Sequence, residues 1–271
     1  MGKRQSRPWI VSDELWSLIE PLLPEPAPKQ VEGRLRVPDR QALCGILFVL
    51  HTGIQWEYLP QELGFGSGMT CWRRLAAWNE AGVWDQLHAM LLKKLRSKQK
   101  LDWSRAVIVS ARAGGPAGPK SEPSPVDRAR PGSKHHIVVD GQGIPLAVSL
   151  TGGNRNDVTQ LLPLLDKIPT VAGVVGRPRR RPAMLFADRG YDHDKYRRLL
   201  RKRGIRPAIA ERGQPHGSSL GIFRWVVERT ISWLHGFRRL RIRWERRDDI
   251  HEAFLGLAVC LITYRHIQRF R

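Results

Sequence analysis

Ala183-Met184-Leu185-Phe186-Ala187-Asp188 is an apolar run of strand length that ends in a carboxylate, with Arg189-Gly190-Tyr191 directly behind it. Bounded by Pro182 and Gly190, it reads as a short buried strand. A carboxylate at the C-terminal end of such a strand opens onto the ligand edge of an α/β sheet. The same position suits a residue that caps the following helix, and spacing leaves both roles open. Upstream, Ala106-Val107-Ile108-Val109 is a second apolar run, closed by valine where the first closes on aspartate. Between the two, His136–Asp140 and Ile144–Leu150 flank Gly141-Gln142-Gly143, a hairpin signal. Arg206–Ala210 reads as a further strand.

Helical spacing fills the intervals. Val158, Leu161, Leu162 and Leu165 predict a helix over Asn156–Ile168; others are expected over Tyr191–Gly204, Phe223–Leu234 and His251–Ile267. From Leu101 the order is therefore strand, hairpin, helix, strand, helix, strand, helix, which suggests an α/β layered fold with a mixed sheet. Residues 111–134, rich in Gly, Pro, Ala and Ser, read as a long irregular loop.

Residues 1–100 read as helical. Ser12 can cap Asp13–Leu22, Asp39–His51 is closed by Gly53, and helices follow over Met69–Asn79 and Val83–Leu95. In Met69–Asn79 the residues Cys71, Trp72, Leu75 and Trp78 form the apolar face, and Arg73 and Arg74 project near the start. A short helix after a glycine turn with Arg at its beginning suits the reading helix of a helix-turn-helix, and equally a three-helix bundle with surface arginines.

The charge is strongly one-sided: 46 Lys and Arg against 25 Asp and Glu leave +21 over 271 residues. Of the basic residues 35 are Arg, whose planar fork suits phosphate. Residues 177–271 alone hold 24 Lys and Arg against 9 Asp and Glu. A polyanionic partner, nucleic acid, is the expectation, against a merely solvated basic surface or a ribosome-associated protein. Arg177–Arg181, Arg197, Arg198, Arg201, Lys202 and Arg203 are expected to hold a DNA backbone, and Arg238, Arg239, Arg241 and Arg243 to extend that surface. Cys44, Cys71 and Cys260 stand far apart, arguing against a disulfide framework or zinc site. No apolar run is long enough to span a bilayer, so no membrane partner and a cytoplasmic, nucleoid-associated location are expected.

A carboxylate inside a helix completes the set. Glu228 lies four residues after Arg224 and seven before His235, so the three share a helix face. Alone, that pattern also fits an ordinary i,i+4 ion pair.

Several longer runs carry a resemblance: Trp-Arg-Arg-Leu (72–75), Leu-Asp-Trp-Ser-Arg (101–105), Gly-Ser-Lys-His-His (132–136), Leu-Thr-Gly-Gly-Asn-Arg-Asn-Asp (150–157), Ala-Asp-Arg-Gly-Tyr-Asp (187–192) and Trp-Val-Val-Glu-Arg-Thr (225–230). On these runs, from about Ser12 to Ile267, the chain resembles bacterial insertion-sequence transposases of the "insertion sequence five" family, with a DDE catalytic domain. The resemblance implies a helical DNA-binding domain over 1–100, helix-turn-helix-like and all-α. It implies an α/β ribonuclease-H-like catalytic domain over 101–271, a mixed sheet with flanking helices. It makes Asp188 the second acid and Glu228 the third, both metal ligands, and matches Arg224 to the arginine of a tyrosine–arginine–glutamate–lysine signature. Gly221 and His235 stand at that signature's tyrosine and lysine positions, and Val109 at the first acid.

The implied chemistry is metal-dependent DNA cleavage and strand transfer, with two Mg²⁺ or Mn²⁺ ions activating the nucleophile and stabilising the leaving oxygen. Mg²⁺ takes oxygen ligands, and a valine offers none. The expectation is thus a transposase-family protein of impaired activity, or an inert DNA binder such as a repressor or domesticated transposase. Asp157 is the reserve carboxylate, with a plain helix-end role as its alternative. Implied partners are double-stranded DNA, as terminal inverted repeats and target, and further copies of the chain on that DNA. Arg73, Arg74, Lys134, Arg189, Arg197, Arg198, Arg229, Arg238 and Arg239 are the DNA-contact candidates. His135 and His136 are expected to be structural rather than ligands.

Overall fold

A computed structural model describes residues 7–26, 35–125, 127–213 and 224–269. The first third is helical, as its capping pattern predicts. Helix α1 spans Asp13–Ile19, with the Ser12 side chain accepting from the Leu15 amide at 3.2 Å and two acids in its first turn. Pro21 then tightens the chain into a 3₁₀ turn over Glu20–Leu22. Helix α2, Asp39–Thr52, stops at Gly53, whose φ of 77° is the left-handed conformation that glycine adopts without strain. Ser67 caps α3, Gly68–Glu80, and Gly82 turns the chain into α4, Val83–Ser97.

The sheet contains β1 (Ala106–Gly114), β2 (Glu122–Pro123), β3 (Pro131–Asp140), β4 (Pro145–Gly152), β5 (Met184–Ala187) and β6 (Arg206–Ile209). Its order is β4–β3–β1–β5–β6, with β2 joined to the start of β3. β4, β3 and β1 run antiparallel, whereas β1, β5 and β6 are parallel. With helices around this mixed sheet, the architecture is the ribonuclease-H-like α/β class, preceded by an all-α segment.

Three expected elements differ. Part of the loop expected over 111–134 is strand, because β3 offers a partner for β1 all the way to the Gly114–Gly132 pair. That pairing is non-local, and Ser110-Ala-Arg-Ala-Gly114 carries little strand propensity of its own. The helix expected over Asn156–Ile168 splits into a 3₁₀ turn, Asp157–Gln160, and a short α5, Leu161–Asp166, with Pro163 withholding an amide donor. Helix α6 begins only at Asp194 and runs to Lys202, because residues 189–191 form a 3₁₀ turn first.

Helices α7 (Arg224–His235), α8 (Arg238–Arg241) and α9 (Asp248–Arg269) close the chain. α9 is the spine: it packs on α3, α4, α7 and β4, while α2 packs on α8. The helical first third and the sheet therefore share one apolar core. α9 covers the sheet face that carries His135, which bonds His251. Alternation places Ser110 and its partner His136 on the opposite face, beside the turn that starts α5. Among the described residues no helix is long and apolar enough to cross a membrane.

Candidate active site

β5 ends beside the middle of β1. Their parallel register pairs Ala106 with Leu185 and Val107 with Phe186, and Asp188 directly follows the end of β5. Val109 stands two residues beyond the last of these pairs on β1. Its side chain is half-buried and packs against the apolar core.

Asp188 combines the two roles its sequence position left open. It caps the 3₁₀ turn after β5, accepting from the Gly190 amide at 2.8 Å, while its backbone carbonyl accepts from Tyr191. It also remains exposed at the mouth of the site. Partial desolvation raises its pKa; the Gly190 amide opposes this, and the negative charge of Asp157 adds to it.

The Gly152–Asn156 connection delivers Asp157 to this place. Asn156 caps the turn that follows, and Asp157 stands at its first residue. Ser110 Oγ donates to one Asp157 oxygen at 2.7 Å, and Lys134 Nζ to the other at 2.9 Å. Lys134 also donates to the Arg155 carbonyl at 2.8 Å, which fixes it as an internal counter-charge. The turns bearing Asp157 and Asp188 pack against each other. Tyr191, in the turn behind Asp188, is fully buried, and its hydroxyl has no hydrogen-bond partner among the described residues. Burial raises that hydroxyl's pKa well above the usual value, with Asp157 and then Asp188 pushing the same way. His136 lies alongside: its Nε2 bonds Thr151 Oγ1 at 2.7 Å, and its Nδ1 is buried with no partner among the described residues. Burial lowers its pKa, and Asp157 pulls the other way.

Glu228 sits exposed on α7, which packs along β1. Gly221 lies outside the described residues, as does the side chain of Arg224. His235 is half-buried at the end of α7, its pKa lowered by burial and then by Arg241. Among the described residues, no three His, Cys, Asp or Glu side chains converge as ligands for one metal ion. Of the site residues foreseen from sequence, the fold brings Asp157 and Asp188 near each other through their packed turns, while Val109 packs against the apolar core. Ser110 and Tyr191 were not foreseen. Ser110 is a polar residue directly after an apolar run, but only the tertiary approach of Asp157 gives it a role.

The basic residues divide sharply. Arg73, Arg198, Arg201, Lys202, Arg238 and Arg241 are exposed, as are Arg177 and Arg179. Arg74 pairs with Asp39, and its pKa is pushed down to about 10 by burial and by Arg36. Arg197 pairs with Asp192 at 2.7 Å, and Arg189 is half-buried in the turn behind Asp188. Arg229 stacks between Trp225 and Trp233, 4.7 and 4.9 Å from the ring centres, and donates to the Gln142 carbonyl at 2.5 Å. Arg239 and Arg243 correct the expectation outright. Both are buried and bonded to protein partners, so neither can reach a phosphate. His135 is structural as expected, held by His251 at 2.8 Å between Nε2 atoms.

Residues 11–88 match a family described as "Putative transposase of IS4/5 family", and residues 101–263 match the family "Transposase DDE domain". The "Putative transposase for insertion sequence element IS402" of Burkholderia cepacia is 60% identical over 165 residues, covering 61% of this chain and 77% of that protein. A 16.2 kDa uncharacterized protein of the same element is 59% identical over 104 residues, 38% of this chain and 71% of that one. Among solved structures, the Mos1 strand transfer complex aligns over 88% of this chain and 78% of its own, at 12% identity. The TM-score of that alignment is 0.34.

Proposed function

Since the chain belongs to the IS4/5 family of transposases with a DDE domain, we propose that it binds the DNA ends of its own insertion element and has lost most of the cleavage and strand-transfer chemistry. The observation that carries this reading is Val109. By the family resemblance it stands at the position of the first carboxylate, and its side chain, which offers no oxygen, packs against the apolar core.

The family chemistry uses divalent Mg²⁺ or Mn²⁺, two per site, with an acid bridging both. The residues present do not fit that arrangement. Val109 supplies no oxygen, and Asp157 is already engaged by Lys134 and Ser110. Loss of a bridging ligand is worth several kcal/mol of transition-state stabilisation, about 10³-fold in rate. Binding needs no such ligand. It is supported by the net charge of +21 and by the exposed arginines on α3, α6 and α8. The helical segment over 1–100 is proposed to read the inverted repeats, through Arg73 on α3, and the segment over 101–271 to hold backbone and target DNA. Assembly of two or more copies on paired ends, in the bacterial cytoplasm, completes the proposal.

Duplexes carrying the element's terminal inverted repeats test both halves. Specific retardation at moderate salt is expected, with cleavage in Mg²⁺ or Mn²⁺ near background. Val109→Asp is expected to raise cleavage by about 10³-fold while leaving end binding unchanged. Val109 also favours a second reading, a purely binding repressor, which predicts no cleavage from Val109→Asp. Failure to prefer the repeats over random duplex overturns both readings.

A further inference from the structure

Between α5 and β5 the chain rises into a short hairpin. We infer that this hairpin, residues 171–179, is a DNA-bending finger, with Arg177 and Arg179 on the backbone of a duplex and Val175 wedged into its minor groove. The inference rests on the proposal that the chain binds duplex DNA, and adds to it a separate place of contact and a deformation.

The finger is anchored from below. Val171 and Arg179 exchange backbone hydrogen bonds at 2.8 and 2.9 Å, which close the loop between them. Arg96, buried near the end of α4, donates to the Val171 carbonyl and, at 3.0 Å, to that of Arg177. Gly173, at φ 130°, approaches the Lys93 carbonyl so closely that a Cβ there would meet it at 2.6 Å. Arg180 is engaged in the same way as Arg96, donating to the Ile168 carbonyl at 2.9 Å and to that of Asp166.

Above this base the character changes. Val174 and Val175 stand between Gly173 and Gly176, both at positive φ, and Val175 is wholly exposed. A single exposed valine is ordinary. Here it tips a fixed hairpin, with the exposed Arg177 and Arg179 directly behind it. An open groove at the base is lined by Arg177, Arg179, Arg180, Arg181 and Arg203. Asp166, close by, is balanced by Arg203 at 2.7 Å. A small apolar tip backed by arginines fits the minor groove, about 6 Å wide, where inserted arginines meet strong negative potential and apolar wedges unstack a base step. A second copy of the chain, itself at +21, offers no such field.

The finger's place in the fold separates it from the candidate active site. The chain enters β5 from the finger and leaves it at Asp188, so the two lie at opposite ends of that strand. A duplex on the finger is therefore a different stretch from any presented at Asp188.

Energy transfer between dyes at the two ends of a duplex of about 30 base pairs tests this with the full chain. A bend of about 20° or more is expected. Val175→Ser should remove about half of it or more, while affinity changes by less than about threefold. Arg177→Ala with Arg179→Ala should lower the slope of log affinity against log salt by about two, equally for inverted-repeat and random duplex. All three side chains are exposed, so the variants should melt with the wild type. A straight duplex on the wild-type chain overturns the inference, as does a wild-type bend with Val175→Ser or an unchanged slope in the double variant. Altered sedimentation of DNA-free Val175→Ser protein, with the bend retained, gives the tip to a second copy and overturns it too. Repeats that are preferred but straight refute the finger alone. Duplexes that are bent without preference for the repeats refute the functional reading and leave the finger standing.

Discussion

Two arginine-rich stretches of nearly the same composition meet opposite fates. α6 carries Arg197, Arg198, Arg201 and Lys202, and most of that charge stays in solvent. α8 and the segment behind it carry Arg238, Arg239, Arg241 and Arg243, yet Arg239 is 3% exposed and Arg243 0%. Arg239 donates to Glu245 and to the Gly53 and Ile54 carbonyls at the end of α2. Arg243 donates to Ser133 Oγ and to the Glu245 and Arg246 carbonyls, and its own amide donates to Gly114 at the end of β1. The difference lies in the neighbours. α8 sits where a helix end, a strand end and the approach to α9 meet, and such ends leave backbone carbonyls unpaired. A guanidinium, with five donors in a fixed fork, can satisfy several of them at once. Positive charge in sequence is thus a reservoir for two uses, and only its surroundings decide between phosphate and the protein's own backbone.

The sharpest way to break this comparison is Arg239→Ala. It leaves Glu245, itself buried, with the Trp56 indole but without its ion-pair partner. A loss of about 3–5 kcal/mol is expected from the shift of the urea midpoint. The double substitution Arg239→Met with Glu245→Leu should recover most of it, because the penalty is an uncompensated buried charge. Arg198→Ala in α6 should move the midpoint by less than about 0.5 kcal/mol. An Arg239→Ala protein that unfolds like wild type would show that α8 is no different from α6.

The buried layer also predicts a pH dependence that the exposed helix lacks. His135 and His251 stack and share a hydrogen bond, and Arg243 lies close enough to influence both. Burial, then neighbouring positive groups, push His135 down to about 3 and His251 well below its usual range. An unfolded histidine titrates near 6.5. Between those values the unfolded chain binds protons that the folded chain refuses, so stability falls as pH drops from about 6.5 toward 4. The slope approaches about 1.4 kcal/mol per pH unit for each such histidine. Melting temperatures between pH 7.5 and 5 check it, and His135→Gln should make the profile shallower, with His51, His88, His136 and His266, each also lowered to about 4, keeping part of the slope. A flat wild-type profile would mean the pair is not sealed from solvent.

How far the sequence disclosed this follows from the range of the interactions involved. Caps and glycine stops are local, so α2, α3 and α4 stand where Ser67, Gly53 and Gly82 put them. The run ending at Asp188 was legible as a strand, and its place among the acids was implied by family resemblance. Asp157 was legible only as a spare carboxylate, because its bonds to Ser110 and Lys134 span 47 and 23 residues. The strand from Ser110 to Gly114 was hidden for the same reason, since its hydrogen-bond partners lie on β3. The burial of Arg239 and Arg243 contradicts average residue behaviour, and only the carbonyls they meet explain it.

The smallest effect is the one that assigns the exposed charge its use. If α6 lies along a DNA backbone, each phosphate contact released contributes about 0.9 to the slope of log affinity against log salt. Replacing Arg198, Arg201 and Lys202 with alanine should lower that slope by about two to three, equally for inverted-repeat and random duplex, because backbone contacts carry no sequence information. The Arg239→Met and Glu245→Leu protein should keep the wild-type slope, since its lost guanidinium never faced solvent. Arg73→Ala on α3 should instead weaken the repeats more than random duplex if that helix reads bases. A triple α6 variant with an unchanged slope would leave its arginines as solvated charge, and the DNA would then have to follow α8 through Arg238 and Arg241.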